Sequence, residues 1–169
     1  MLSRLTAALA LLALSVGVAS AQTTSRVATF QDWSVYAGTG NEGRVCYAAS
    51  QPTQMAPQGV NRDPAFFMVS NWPGRAVTNE AYLKMGYPLE PNSTVTVTID
   101  NDETFTFFIG QDDAWISEAA LEQQLIEAMR GGVTMVITGR STRGTDTSDT
   151  YSLRGITAAL ARVASECGQ

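Results

Sequence analysis

The chain has 169 residues, 11 basic against 16 acidic side chains, a formal charge of −5, two cysteines, one lysine and no histidine. An acidic balance without a basic run argues against nucleic acid and anionic membrane surfaces as partners. Absence of imidazole removes the usual zinc and iron ligand sets, and with them the common proton acceptor of a serine hydrolase.

In chain order, residues 1–4 form a short basic opening, 5–18 an apolar run, and Ala19-Ser20-Ala21 the small-x-small pattern at which signal peptidase cuts. The run is too short for the roughly twenty residues of a membrane helix. The expectation is a cleaved signal peptide over 1–21 and one mature domain over 22–169, exported and without a membrane span. No cysteine follows the run to carry a lipid, and no apolar tail closes the chain. Loss of Arg4 takes the formal charge from −5 to −6.

The mature part reads as period-two segments. Thr94, Thr96 and Thr98 alternate with Val95, Val97 and Ile99, as a half-buried strand requires. Turn-formers at 100–102 then lead into 104–109, with Phe105 and Phe107 on one side, which predicts an antiparallel hairpin. Segments 30–36, 44–50, 65–70, 79–85, 133–138 and 150–153 read likewise, giving about eight strands. Gly38-Thr39-Gly40, Trp72-Pro73-Gly74, Gly86-Tyr87-Pro88, Glu90-Pro91-Asn92 and Gly131-Gly132 break regular structure between them. Strands this short and evenly spaced predict a mainly β fold, a sandwich of antiparallel sheets.

Two short helices interrupt the pattern. One is predicted from Ser117 as N-cap, burying Leu121, Leu125 and Met129 and stopping at Gly131. The other buries Ile156, Ala159, Leu160 and Val163, a stripe that reaches Cys167 four residues on. In an oxidising compartment Cys46 and Cys167 have one intramolecular pairing, and no C-x-x-C spacing suggests redox catalysis. The polar connection 51–61 is expected to be the most mobile segment.

Several stretches imitate catalytic motifs. Gly38, Gly40 and Gly43 fit G-x-G-x-x-G, but between two strands rather than strand and helix. Residues 139–144 approach the G-x-S-x-G elbow with the last glycine one place late and no helix after it. Asp100, Asp102 and Glu103, or Asp112 with Asp113, could ligate calcium, yet the loop pattern lacks its central glycine and closing glutamate. The same carboxylates are the candidates for a hydrolase acting on envelope sugars. No catalytic residue, cofactor or metal is expected. Among the tryptophans, Trp33 and Trp115 suit a core, whereas Trp72 at a turn is the candidate for a partner contact. Arg140, Arg143 and Asp149 fall in a polar stretch read as a loop over 139–150, and Arg143 and Asp149 join Trp72 as candidate contact residues.

Phe30-x-Asp32-Trp33, Cys46-Tyr47-Ala48-Ala49-Ser50, Gly86-Tyr87-Pro88, Trp115, Gly139-x-Ser141-x-Arg143-Gly144-Thr145, Asp149-x-Tyr151-Ser152-Leu153-x-Gly155 and the terminal Cys167 follow one another in an order that resembles the invasion-associated locus B proteins of alphaproteobacteria. The resemblance spans nearly all of the mature chain. It implies an immunoglobulin-like antiparallel β-sandwich, with about eight strands and two short helices from the pattern above. It further implies an exported protein, linked in pathogenic members to entry into host cells, particularly erythrocytes, with no enzyme activity and no catalytic residue to carry over. The expected function is a binding or accessory module of the periplasm, outer envelope or secreted fraction, with an envelope or host protein as partner. A chaperone-like, stress-protective role and the sugar hydrolase are the alternatives.

Overall fold

The structure, a computed structural model, describes residues 23–40 and 42–168. The expected signal segment and cleavage site lie outside the described residues. Eleven strands occur in the order β1 (Thr23–Phe30), β2 (Trp33–Gly40), β3 (Gly43–Ser50), β4 (Gln54–Ala56), β5 (Phe66–Trp72), β6 (Val77–Lys84), β7 (Val95–Ile99), β8 (Glu103–Ile109), β9 (Asp113–Trp115), β10 (Thr134–Arg140) and β11 (Asp146–Ser152). Two helices, α1 (Ala119–Gly131) and α2 (Ile156–Glu166), follow β9 and β11.

Every pairing between these strands is antiparallel, and hydrogen bonding runs unbroken through β1-β2-β3-β5-β6-β9-β8-β7-β10-β11-β4. Strand β8 joins the two halves: residues 103–107 pair with β7, whereas Phe108 and Ile109 pair with β9. The ribbon folds back on itself there. Trp33 of β2 donates its Nε1–H to the Ser152 carbonyl at 3.0 Å, and the Phe67 ring of β5 meets that of Phe107 with centroids 6.3 Å apart. The halves thus face each other as the layers of a sandwich, and alternate residues such as Val95, Val97 and Ile99 or Phe105 and Phe107 turn into one shared core.

Eleven strands stand where about eight are expected. The three additional ones lack a clear period-two signature: β4 buries no side chain, β9 buries only Ala114, and β1 is only partly buried. All three residues of β4 are exposed, and backbone pairing with β11 alone defines that strand. β9 is three residues inserted between β6 and β8, and β1 is an edge with a register shift at Val27. The connection read as mobile over 51–61 therefore contains a strand.

Helix α2 follows its predicted stripe, with Ile156, Ala159, Leu160 and Val163 buried. Its entry needs Gly155: at φ +94° a Cβ there would lie 2.0 Å from the Phe30 carbonyl oxygen. Beyond the helix, Cys167 is joined to Cys46 of β3 by a disulfide with Cα atoms 5.9 Å apart. Helix α1 begins later than predicted, with Glu118 rather than Ser117 at the N-cap and no side-chain cap. Leu121, expected in the core, is 38% exposed, and the buried face is Leu125, Ile126 and Met129. The first turn meets the backbone of β6 instead, where Glu122 Oε1 accepts the Ala81 N–H at 2.6 Å. Burial pushes the Glu122 carboxyl up, and this hydrogen bond opposes the shift. No helix among the described residues is long and apolar enough to cross a membrane.

Candidate functional site

Three loops meet at the end of the sandwich where β5 starts and β6 ends: 57–65, 85–94 and the turn 141–145. The last is much shorter than the 139–150 loop expected, because Arg140 pairs with Asp146 and the β10–β11 ladder continues from there. Polar residues on the inner face of β11, Thr147 and Asp149, obscure that strand in the sequence. Backbone bonds lock the loops together: the Asp63 N–H donates to Gly86 O at 2.8 Å and the Thr142 N–H to Pro88 O at 3.0 Å. Gly86 is obligatory at φ +76°, since a Cβ would sit 2.1 Å from the Asp63 carbonyl oxygen. Within the turn, the Ser141 N–H donates to Thr145 O at 2.9 Å, and Ser141 Oγ accepts the Thr145 N–H at 3.2 Å.

A cleft of about 220 Å³ lies between the loops, walled by residues 60–63, by Gly86-Tyr87-Pro88, and by Arg143 and the hydroxyl side chains of the last turn. Its floor is a buried polar cluster. Arg62 Nη2 donates to Asp149 Oδ2, with the two side chains 6% and 1% exposed. The guanidinium centre lies 5.5 Å from the Tyr87 ring centroid, within cation–π range. Thr147 Oγ1 donates to Gly139 O at 3.2 Å, so the Tyr87 hydroxyl bonded to that oxygen acts as donor. Arg62 Nε and Nη1, Asp149 Oδ1 and the Tyr151 hydroxyl are buried with no hydrogen-bond partner among the described residues. Burial pushes the Asp149 carboxyl above its usual range while the Arg62 hydrogen bond and charge pull it down. Burial likewise raises Tyr87 and, further, Tyr151.

Of the candidate contact residues, Arg143 stands exposed on the wall of the cleft, and Asp149 lies beneath it, reaching it through Arg62. Trp72 is elsewhere, at the far end of β5, roughly 20 Å along the strand from Phe66. It is half-buried, donates its Nε1–H to Glu80 Oε2 at 2.8 Å and is covered by the Arg75 guanidinium. Trp33 is fully buried, whereas Trp115 is 39% exposed. Of the candidate calcium or hydrolase carboxylates, Asp100 accepts the N–H groups of Val133 and Thr134, Asp112 pairs with Lys84 at 2.6 Å, and Asp113 accepts the Tyr82 hydroxyl at 2.9 Å. Asp100, Asp102 and Glu103 border one surface hollow, but no three carboxylates among the described residues are placed to hold a metal ion. Sequence reasoning did not single out Arg62 or Asp63. A lone arginine at the end of a polar connection carries no periodic signal, and its partner is 87 residues away.

These features define a class: a mainly β, antiparallel domain tied by one disulfide, with a small polar cleft among the loops at one end. The model of the family described as invasion associated locus B (IalB) protein matches residues 33–164, and the chain belongs to that family. Among solved structures, the crystal structure of invasion associated protein B from Bartonella henselae superposes with a TM-score of 0.59 at 14% identity, covering 89% of this chain and 100% of that one. At that identity the likeness is one of fold. No curated protein matches. The stretches 86–88, 139–145 and 149–151, which carry the resemblance in sequence, converge on the cleft and its floor.

Proposed function

We propose that the protein is exported and works in the cell envelope as a non-enzymatic binding or accessory module, with the loop-end cleft as its recognition point. The observation that carries this reading is the cleft itself: three loops fixed to one another over a buried Arg62–Asp149–Tyr87 floor, with Arg143 free at the wall. A preformed concave site on which polar groups converge is a usual form of ligand site. Export is supported by the leader pattern at 1–21 and by a disulfide suited to an oxidising compartment. A non-enzymatic role is supported by the prior engagement of Asp100, Asp112 and Asp113 in backbone, lysine and tyrosine contacts. The solved relative is named for invasion; that role is not carried over to this chain.

The test is photo-crosslinking in cells from position 142, on the rim of the cleft, followed by mass spectrometry. A discrete partner captured from 142, and not from an exposed position on β4 such as Gln54, is the expected result. Equal capture from both positions, or none from 142, removes the cleft as the recognition point.

A further inference from the structure

We propose that the cleft captures the carboxyl-terminal residue of an extended peptide, with its carboxylate on Arg143 and its last amide N–H toward Asp63. This deepens the binding reading above and rests on it. Size is the first argument. About 220 Å³ falls below the roughly 300–1,000 Å³ of sites for drug-sized ligands and suits a single residue.

Charge is the second. Arg143 and Asp63 both line the cleft, and among the described residues neither has an ion-pair partner; Arg44, Arg62, Arg75, Arg130, Arg140 and Arg162 do, and Arg26 and Arg154, which have none either, do not line the cleft. Arg62 and Asp149 neutralise each other in the floor. The lining therefore offers one free cation and one free hydrogen-bond-accepting anion on a chain of net negative charge. A phosphate dianion would meet Asp63 and the overall field. A chain end carries a single planar carboxylate that a guanidinium grips through two parallel bonds. It also carries, on the carbon next to that carboxylate, an amide N–H for Asp63. An aspartate or glutamate side chain has the carboxylate without that adjacent donor.

The floor supplies the third. Arg62, whose side chain is only 6% exposed, lines the cleft and holds Nε and Nη1 without hydrogen-bond partners among the described residues, so the floor keeps N–H donors that the protein itself does not use. The exposed Thr142 hydroxyl and that of Thr145 stand beside Arg143 as further donors for the carboxylate. With the loops already bonded to one another, little ordering remains to be done on binding. Capture of a terminal carboxylate is an established mode of peptide recognition.

The experiment is calorimetric titration of the mature protein with N-acetyl-trialanine bearing a free carboxylate, its carboxamide, N-acetylaspartic acid α-amide, in which only the side-chain carboxylate remains, and inorganic phosphate. Saturable binding of the first is expected, with the other three weaker by about tenfold or more. Arg143→Gln should weaken the first by about tenfold or more and Asp63→Asn severalfold. Both positions are exposed, so an unchanged thermal midpoint certifies the fold. Equal binding of the carboxamide, side-chain or phosphate probe, an unaffected Arg143→Gln protein, or no saturation by roughly 10 mM overturns the proposal. Partner capture from position 142 that survives Arg143→Gln would leave the recognition reading standing with its ligand unassigned. Peptide binding without any partner captured in cells would do the reverse.

Discussion

Arg62→Met should be strongly destabilising at neutral pH and nearly tolerated in acid. The substitution removes the ionic partner of Asp149, whose side chain is 1% exposed, and leaves a buried carboxyl that can escape its charge only by taking a proton. Holding that proton costs about 1.4 kcal/mol for each pH unit above the unfolded value of about 3.9. The penalty is therefore at most about 4 kcal/mol at pH 7 and about 1 kcal/mol near pH 4.5, set against a total stability of roughly 5–15 kcal/mol. The sign follows from proton uptake. Burial already places the folded carboxyl above its unfolded value, so the native state binds more protons, and stability falls as pH rises from the unfolded toward the folded value. Losing Arg62, which opposes the shift, widens that window upward. Urea unfolding followed by tryptophan emission, with Trp33 fully buried as reporter, measures the difference at both pH values. The double variant Arg62→Met with Asp149→Leu removes both charges and should recover to within about 1.5 kcal/mol of the parent. A penalty independent of pH, or a double variant no more stable than Arg62→Met, would refute the reasoning.

Replacing Cys46 and Cys167 by alanine opens a loop of 121 residues, which the chain-entropy relation values at about 5 kcal/mol; equilibrium unfolding of the oxidised parent and the variant reads the loss, and a cost under about 1 kcal/mol would count against that accounting. Gly86→Ala should cost about 2 kcal/mol or more and weaken binding of the carboxylate peptide, because its methyl would displace Asp63 and the loop that carries it; an unchanged thermal midpoint would contradict the contact. The Tyr82 phenol is pushed up to about 12, first by burial and then by the hydrogen bond and charge of Asp113. The folded state keeps that proton, so stability falls as pH rises from the ordinary phenol value of about 10 toward 12. Ultraviolet titration should show Asp113→Asn moving the Tyr82 midpoint down, but not fully to the ordinary value, since burial remains.

The parts of the fold legible in the sequence are those in which burial and periodicity coincide. β7 and β8 display their inward residues as an alternating apolar row, and α2 displays Ile156, Ala159, Leu160 and Val163 at helical spacing. β4 and β9 are three residues each, too short to show a period: β4 buries no side chain and β9 only Ala114, so backbone pairing defines them with little mark on side-chain choice. The shortened α1 has another cause. Leu121 fits the apolar spacing as well as Leu125 does, but a strand edge at Ala81 needs an acceptor more than the core needs a leucine, and Glu122 is one residue away.

The site divides along the same line. Arg143 and Gly144 are legible as part of a polar loop, because the backbone demands of such residues are local, but the sequence reads that loop over 139–150 where the structure has only the turn 141–145. Asp149 looks like another loop carboxylate until β11 places it on the inner face of a sheet, where an unpaired charge would be costly. That cost requires a cation from somewhere, and the chain supplies Arg62 from a connection that local patterning reads as surface. The pairing then fixes the loop 57–65 against Tyr87, and the wall of the cleft is set by a charge 87 residues from its partner. A buried polar group thus locates the site more specifically than any motif does. An aspartate whose strand neighbours Ile137 and Tyr151 are buried is a demand for a partner, and the partner's loop is where the surface is shaped.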